Sequence, residues 1–461
     1  MVKGVQRKKK LLVGQLAQVD SKRSLKSAKW SLAALQYQAL LIWRKNPLLS
    51  WTCAITLCVL LGANVALLTP IWGDRSSTDE QQLSDFIKDK DNKVDGALAN
   101  SQLQLSRPVN ILVMGIDPAI AKSSLGNLAA TSDTMLLLRL NPDNQSIKVL
   151  SIPRDSMVVI PEIGLEKISL ANANGGPALA TRVVSKSLNN VPIDRYVRIE
   201  TDGLRELVNA LDGVEVFVPQ KMSYQDTAQK LNIDLEAGWQ TLDSDRAEQF
   251  ARFQDRETGD LGRIQRQQLL IKAVRDRLTN PAIIARLPQL VSIMQNYVDT
   301  NLSMVEMLAL VNFASAVDSQ NLQMVILPGN LSALSQDPSS YWLDPGGQDR
   351  VMSNYFGVNP PVGTPKVRSL ASLRIAVQNA SGDPTLSDRI ARKLKASGLE
   401  NVHVTSDWLD VQRQTEIIVQ RGDFQAATDL QKVLGLGKME FASTGDLESQ
   451  LTIRLGKDWN E

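Results

Sequence analysis

The longest uncharged stretch of the chain lies near its N-terminus and limits how the rest can be arranged. No Asp, Glu, Lys or Arg occurs from Asn46 to Gly73. As a helix, the apolar run Leu48 to Ile71 would be about 36 Å long, enough to cross a hydrocarbon core of about 30 Å. We therefore predict a transmembrane signal anchor at 46–73. A cleavable signal peptide is the alternative, but the long leader and the lack of a small-residue cleavage site argue against it.

The charges before this segment predict its orientation. Residues 1–45 contain eleven Lys and Arg and a single acid, Asp20. Basic flanks stay in the cytoplasm, so everything after Gly73 should lie outside it. We expect a single-pass protein of the cytoplasmic (inner) membrane, with a basic cytoplasmic leader and extracytoplasmic or periplasmic main domains. Over the whole chain 51 basic residues balance 49 acids, so no nucleic-acid partner is expected.

The rarity of Cys and His excludes several kinds of chemistry. Cys53 and Cys58 both lie in the predicted membrane segment, and His403 is the only histidine of the chain. We therefore expect no disulfide in the exported part, and no Ser-His, Cys-His or zinc-histidine centre in its main domain. Chemistry there must rest on carboxylates, Arg and Lys, with or without a hard metal ion.

Strands alternate with helices along the exported part, which predicts an α/β (α+β) fold. Residues 74–107 are polar and are predicted to be a linker before a first folded domain at 108–329. A Pro-, Gly- and Ser-rich linker is predicted at 330–370, and a small α+β domain at 371–461. The strands predicted in the first domain are 110–117, 134–140, 147–152, 196–199, 214–218 and 322–327. Its predicted helices are 177–188, 203–211, 243–253, 259–278, 282–297 and 303–316.

One strand end places an arginine in a fixed position. The apolar run Val149 to Ile152 stops at Pro153, which cannot donate to a central strand ladder. Arg154 and Asp155 follow at once. The planar donor fork of an Arg held on such a turn suits a phosphate or a carboxylate. A pair with a neighbouring carboxylate is the structural alternative.

Several short motifs occur in order along the first domain: Asn110 to Asp117, Ser132-Asp133-Thr134, Ser151 to Asp155, Lys167-Ile168, Gly175-Gly176-Pro177, Arg252 and Gly259 to Gln267. In their order and approximate spacing they resemble the motifs of the LytR–CpsA–Psr family, from about Val109 to Leu327. The second domain resembles, through Val377 to Gly382, the LytR-type C-terminal domain often attached to that family.

The resemblance implies a transferase that moves a phosphate-linked glycopolymer from a polyprenyl-pyrophosphate carrier to a sugar hydroxyl of peptidoglycan. It also implies Mg²⁺ as cofactor, and the chemistry agrees, since Mg²⁺ binds carboxylates and phosphate oxygens. The implied metal ligands are Asp117 and Asp133. The implied pyrophosphate contacts are Arg154, Arg252, Arg263, Gln267 and Lys167, and the implied catalytic residues are Asp117, Asp133, Arg154 and Arg252.

The chain departs from the family pattern at two points. Pro118 and Ala119 follow Asp117 where members often carry an Arg, and Gln254 stands where a second Arg often follows Arg252. We predict that Arg256, two residues further on, supplies the missing charge to the pyrophosphate. Two other functions stay open: a membrane-anchored receptor that binds polyprenyl-phosphate or glycan without transfer, and an envelope regulator.

Overall fold

A six-stranded mixed sheet forms the centre of the first domain. The computed structural model describes residues 104–116, 130–226, 231–255, 257–284, 286–332, 339–360 and 368–459. The strands of the first domain are β1 (Val109–Ile116), β2 (Ser132–Asn141), β3 (Ser146–Ser151), β4 (Met157–Ile160), β5 (Gly164–Lys167), β6 (Arg195–Glu200), β7 (Val214–Val218), β8 (Met222–Asp226), β9 (Leu231–Leu235), β10 (Gly238–Leu242), β11 (Val298–Thr300) and β12 (Leu322–Ile326).

Helices cover both faces of this sheet. Its strand order is β11-β6-β1-β2-β3-β12, with β1 antiparallel to β2 and parallel to β6. The predicted hairpin of β2 and β3 is confirmed, with Leu137 opposite Leu150. The helices of the first domain are α1 (Leu170–Ser187), α2 (Thr201–Ala210), α3 (Ser244–Arg252), α4 (Gly259–Leu278), α5 (Pro281–Ile284), α6 (Leu287–Met294) and α7 (Met304–Ala316).

Side chains of β1 alternate between the two faces of the sheet, which thereby lies as the middle layer between helices α1 and α7. Leu112 and Met114 pack into a buried cluster with Val183 of α1. Ile111 packs on the opposite face with Phe313 of α7. Successive side chains of a strand point to opposite faces, so one strand contributes to both cores. The predicted mixed α/β fold class is confirmed.

Some elements differ from the prediction. Helix α1 begins seven residues before the predicted start, with a backbone break at Gly175 and Gly176 that a simple periodicity does not reveal. Gly176 has φ 61° and ψ −161°, a conformation that is essentially restricted to glycine. The predicted helix 282–297 is two short helices, α5 and α6. The hairpins β4–β5 and β8–β9 were not predicted, because their few alternating residues resemble loop composition.

The segment 330–370, predicted as a linker, contains strands β13 (Gly329–Leu331) and β14 (Tyr341–Leu343) and helix α8 (Pro345–Val351). A π-helical turn follows α8 at Met352–Phe356. Three apolar side chains of this turn are at most 2% exposed and pack in the α1 core. Its Pro and Gly residues indicate a linker, but its apolar residues belong to the first domain.

The second domain contains a five-stranded sheet in the order β16-β15-β19-β17-β18. Its elements are β15 (Ile375–Asn379), α9 (Leu386–Ala396), β16 (Val402–Val404), β17 (Glu416–Val419), α10 (Phe424–Leu434), β18 (Lys438–Glu440) and β19 (Leu451–Leu455). These elements agree with the predicted alternation of strands and helices.

The second domain covers the edge strand of the first sheet. The amide of Met324 in β12 donates to the Phe441 carbonyl at 2.7 Å, and that of Ile326 donates to the Gln420 carbonyl at 3.2 Å. Next to this edge, Arg350 and Asp423 form an ion pair at 3.0 Å, with side chains 8% and 2% exposed. The two domains therefore share a hydrogen-bonded and partly buried interface.

The predicted leader 1–45, the predicted membrane segment 46–73 and most of the predicted linker 74–107 lie outside the described residues. In the seven described ranges, no helix combines the length and the apolar character needed to cross a membrane.

Candidate functional site

A cavity of about 640 Å³ opens between the sheet and helices α2, α3 and α4. Most of its wall is apolar, because the face of β1 and β2 opposite helix α1 meets the inner sides of the three helices there. The apolar lining residues are Val113, Ile116, Leu136, Ile199, Leu204, Leu207, Leu231, Ala251, Leu270 and Ile271. An elongated apolar group would be held by this wall.

One set of polar side chains lines the same cavity. They come from the start of β2, the turn after β3, the end of α3 and the first turns of α4. Those that the sequence analysis singled out are Asp133, Arg154, Arg252, Gln254, Arg263 and Gln267. The cavity therefore combines an apolar wall with three arginines and five carboxylates, those of Asp133, Glu200, Asp226, Glu248 and Asp255.

The turn after β3 holds Arg154 as predicted from Pro153. The amide and hydroxyl of Ser156 both donate to the Pro153 carbonyl, at 3.0 and 2.7 Å, and this closes the turn. Arg154 Nη1 then donates to Asp133 Oδ1 at 2.7 Å. Burial tends to lower the pKa of Arg154, but the carboxylates of Asp133 and Asp260 outweigh it and the pKa is raised. Arg154 therefore remains charged at any working pH.

Helix α4 brings Arg263 to the same place. Its Nη2 donates to the backbone carbonyl of Asp133 at 2.9 Å, so the two predicted site residues are directly linked. Gln267 lies one turn further along the helix on the cavity side. Burial lowers the pKa of Arg263, whose side chain is only 9% exposed. A buried arginine near a cavity is a strong donor for an anion that enters.

Asp260 is a functional candidate that the sequence analysis did not assign. Its side chain is 10% exposed, contacts Arg263 three residues on and lies 3.6 Å from Arg154 Nε. Neither carboxylate oxygen has a hydrogen bond of regular geometry among the described residues. Burial raises the pKa of this carboxyl against the opposing effect of the two arginines. An acid before an Arg in a helical first turn usually indicates a surface pair, so the sequence carries no clear signal.

Arg252 enters the cavity from the end of α3. Its Nη1 donates to Glu248 at 3.0 Å, and Glu248 also accepts from Arg205 at 2.7 Å. Gln254, which stands where the family often carries an Arg, also lines the cavity. Arg256, the predicted substitute, lies outside the described residues.

Two further predicted site residues, Lys167 and Asp117, are not among the described residues that line the cavity. Lys167 is not among the cavity-lining residues: its Nζ pairs with Asp155 at 3.0 Å and donates to Ser339 at 2.8 Å. Lys167 therefore contacts the neighbour of Arg154 and not the cavity itself. Asp117 lies outside the described residues, directly after Ile116, which lines the cavity.

The carboxylates at the cavity are a partial match to the metal site that the sequence analysis predicts. Asp133 is 25% exposed and lines the cavity, so one of the two predicted ligands is in place. In the parts of the chain that are described, no cluster of three or more His, Cys, Asp or Glu is arranged to hold a metal ion. Magnesium often keeps several waters and needs only one or two protein carboxylates, so this donor set is compatible with it.

The fold and the cavity define a class of protein: a mixed α/β protein with a largely apolar cavity that three arginines and several carboxylates line. Comparison with models of known protein families identifies its family. The LytR_cpsA_psr family model matches residues 74–354, and a model described as LytR cell envelope-related transcriptional attenuator matches residues 372–459. The chain belongs to the LytR_cpsA_psr family, and the predicted resemblance is confirmed.

Curated relatives give the same assignment. The chain is 30% identical over 244 residues to the polyisoprenyl-teichoic acid–peptidoglycan teichoic acid transferase TagV of Bacillus subtilis, covering 52% of this chain and 61% of that protein. It is 30% identical over 256 residues to TagU of Oceanobacillus iheyensis, covering 54% and 71%. The crystal structure of B. subtilis TagV superposes with a TM-score of 0.48 at 26% identity, covering 55% and 99%.

Proposed function

We propose that the chain transfers a phosphate-linked glycopolymer from a polyprenyl-pyrophosphate carrier to a sugar hydroxyl of peptidoglycan. One observation carries the proposal: a single cavity joins a long apolar wall to Arg154, Arg252 and Arg263. A polyprenyl pyrophosphate has the same two parts, an apolar chain and an anionic head. The relatives named as teichoic acid transferases support the choice of reaction.

The bonds that change define what the residues must do. The acceptor hydroxyl oxygen forms a bond to the glycan-linked phosphorus, and the bond from that phosphorus to the bridging oxygen breaks. Polyprenyl phosphate leaves with the electron pair, and the hydroxyl proton is released. Positioning and charge stabilisation dominate such transfers. Arg154 and Arg263 would stabilise the charge of the leaving phosphate, and Gln267 would orient the head group by hydrogen bonding.

A divalent cation would complete the charge balance of the site. Asp133, together with Asp117, which follows Ile116 in the chain, would hold Mg²⁺ at the pyrophosphate. The ion would supply charge neutralisation at the phosphates. Asp133→Asn should then abolish the dependence on added Mg²⁺ and most of the transfer, while Asp143→Asn, in the β2–β3 turn, should change neither. Transfer by the unaltered protein that is insensitive to excess chelator would contradict this assignment.

The membrane supplies both the carrier and the location. We propose that residues 46–73 anchor the chain in the cytoplasmic membrane with the basic leader inside, since a polyprenyl donor resides in that bilayer. A reporter that is active only in the cytoplasm, fused after Glu461, should therefore give no signal. A strong signal would place the catalytic domain on the wrong side for this acceptor.

Transfer can be tested directly with a radiolabelled lipid-linked saccharide and isolated peptidoglycan. We expect label in the wall fraction and released polyprenyl phosphate in equal amounts. A receptor without transfer activity is the second candidate. It is favoured by the missing family arginines, after Asp117 and at position 254, which leave fewer cations to stabilise the charge of the transfer. Saturable binding of the donor without label transfer would support the receptor.

A further inference from the structure

A second cavity, a cleft of about 660 Å³, lies between the two domains. Gln220, Asn330 and the first turns of α4 form one wall. Residues around β15, the loop after β16 and the segment 444–450 form the other. The apolar cavity of the candidate active site and this cleft lie on two sides of the same helix. We propose that the cleft binds a neutral saccharide chain, the acceptor glycan of the transfer proposed above.

Helix α4 separates the two cavities by its periodicity. Arg263 and Gln267 face the apolar cavity. Gly262, Gln265 and Leu269 face the cleft. Residues four apart share a helix face, so one helix offers different chemistry to two ligands. A donor and an acceptor would be held on opposite sides of it.

The two cavities meet at the loop before α4. Asp255 is the residue that lines both. Its carboxylate accepts hydrogen bonds from the Thr258 amide and hydroxyl, at 2.6 and 2.5 Å, and lies 3.4 Å from Arg266. Burial would raise the pKa of Asp255, but these partners outweigh it and the pKa is lowered. An ionised, rigidly held carboxylate therefore lies at the border between the two cavities.

The chemistry of the cleft indicates a neutral, hydroxyl-rich ligand. Three arginines and four carboxylates line it, and two of the arginines are already paired, Arg374 with Glu448 at 2.9 Å and Arg266 with Asp255. Amides and hydroxyls are the more numerous polar lining groups, and these groups pair with sugar hydroxyls.

The length of the cleft suits an extended chain. Arg374, immediately before β15, and Gln378, near its end, both line it. Four residues of a strand span about 13 Å. The cleft is therefore long enough to follow a linear glycan over more than one sugar ring.

Three lining residues give a clean test, because they are exposed and show no side-chain hydrogen bond to the described part of the chain: Gln220, Asn330 and Ser406. Replacing all three by Ala should leave folding unchanged. A matched control replaces Gln320, Asn209 and Ser319 by Ala. These are also two amides and a hydroxyl, are exposed, and line neither cavity.

The measurement is calorimetric binding of chitotetraose, a neutral oligosaccharide of N-acetylglucosamine, to the full chain in detergent. Loss of one neutral hydrogen bond weakens binding about fivefold. We therefore expect the cleft variant to bind at least about tenfold more weakly than the unaltered protein, and the control variant to bind within about twofold of it. Equal binding by the cleft variant, or no binding by the unaltered protein, would overturn the proposal. Preferential binding of a glycerol-phosphate oligomer would overturn it as well.

The proposal rests on the proposed transfer reaction for its biological meaning, but the two can fail separately. If the unaltered protein binds chitotetraose in the cleft and transfers no label, the transfer reaction is wrong and the saccharide site stands. If the protein transfers label and the cleft variant shows an unchanged KM for the acceptor, the transfer stands and the cleft is not the acceptor site.

Discussion

Partly or fully buried arginines occur in two regions of this molecule and make different contacts there. In the second domain, Arg454 donates to the Gln378 side chain at 2.8 Å and the Thr444 carbonyl at 2.7 Å, and lies 3.9 Å from the Trp408 ring centre. At the candidate active site, Arg154 and Arg263 face carboxylates, and their Nε atoms have no hydrogen-bond partner among the described residues. Burial alone therefore does not distinguish an arginine that stabilises the fold from one that lines a cavity.

The first prediction removes the structural arginine. Arg454→Ala deletes a side chain that burial holds at a pKa of about 10 and leaves Glu416 without its partner. Loss of this ion pair, together with the hydrogen bonds to Gln378 and Thr444, should lower the free energy of unfolding by about 2–4 kcal/mol. Denaturant unfolding measures the loss, and donor binding per folded molecule should not change. Arg389→Ala in α9, half exposed, is the control and should lose less than about 1 kcal/mol.

The second prediction removes a cavity arginine whose loss the fold tolerates. After Arg252→Ala, Glu248 still pairs with Arg205, so the free energy of unfolding should fall by less than about 1 kcal/mol. A lost charge-assisted phosphate contact should weaken transfer by about 1.5–3 kcal/mol, which is roughly ten- to over a hundredfold. Arg246→Ala, exposed on the same helix, should transfer normally. Equal stability losses at Arg252 and Arg454 would erase the distinction between the two regions.

The third prediction concerns the loop between α3 and α4. If Arg256 replaces the missing family arginine, Arg256→Ala should weaken binding of a polyprenyl pyrophosphate by about 1.5–3 kcal/mol. Gln254→Ala, which removes a neutral donor, should lose only about 1 kcal/mol. The ranking of the two affinities is the measurement. Binding by Arg256→Ala at the unaltered level would leave the charge unreplaced and favour the receptor.

The smallest expected effect is a pH dependence from Asp260. Burial raises the pKa of Asp260 in the folded state, so the folded protein holds this proton more tightly than the unfolded chain. Its contribution to stability is present below about pH 3.8 and is lost as the pH rises through the raised value. Compared with Asp260→Asn, the unaltered protein should therefore gain stability on acidification. Parallel curves of unfolding free energy against pH for the two proteins would show that folding does not raise the pKa of Asp260.

Local patterns predicted much of the fold and part of the site. Alternation and apolar runs predicted β1 to β3, and Pro153 predicted the fixed position of Arg154. The motif resemblance could not place Lys167, whose pairing with Asp155 depends on how the β4–β5 hairpin folds back. Asp260 was missed because a helical acid before an Arg is common on surfaces. The cleft was not predicted, because its two walls come from different domains and only the packing of one domain on the other brings them together.

The covered edge of β12 has a practical consequence for anyone who wishes to study the first domain alone. Cutting the chain at residue 370, where composition suggests a boundary, would remove the carbonyl partners of Met324 and Ile326. An uncovered edge strand is a template for pairing with another copy. A shortened protein would therefore tend to self-associate, and its loss of activity would reveal little about catalysis. The unit to purify, crystallise or screen contains both domains.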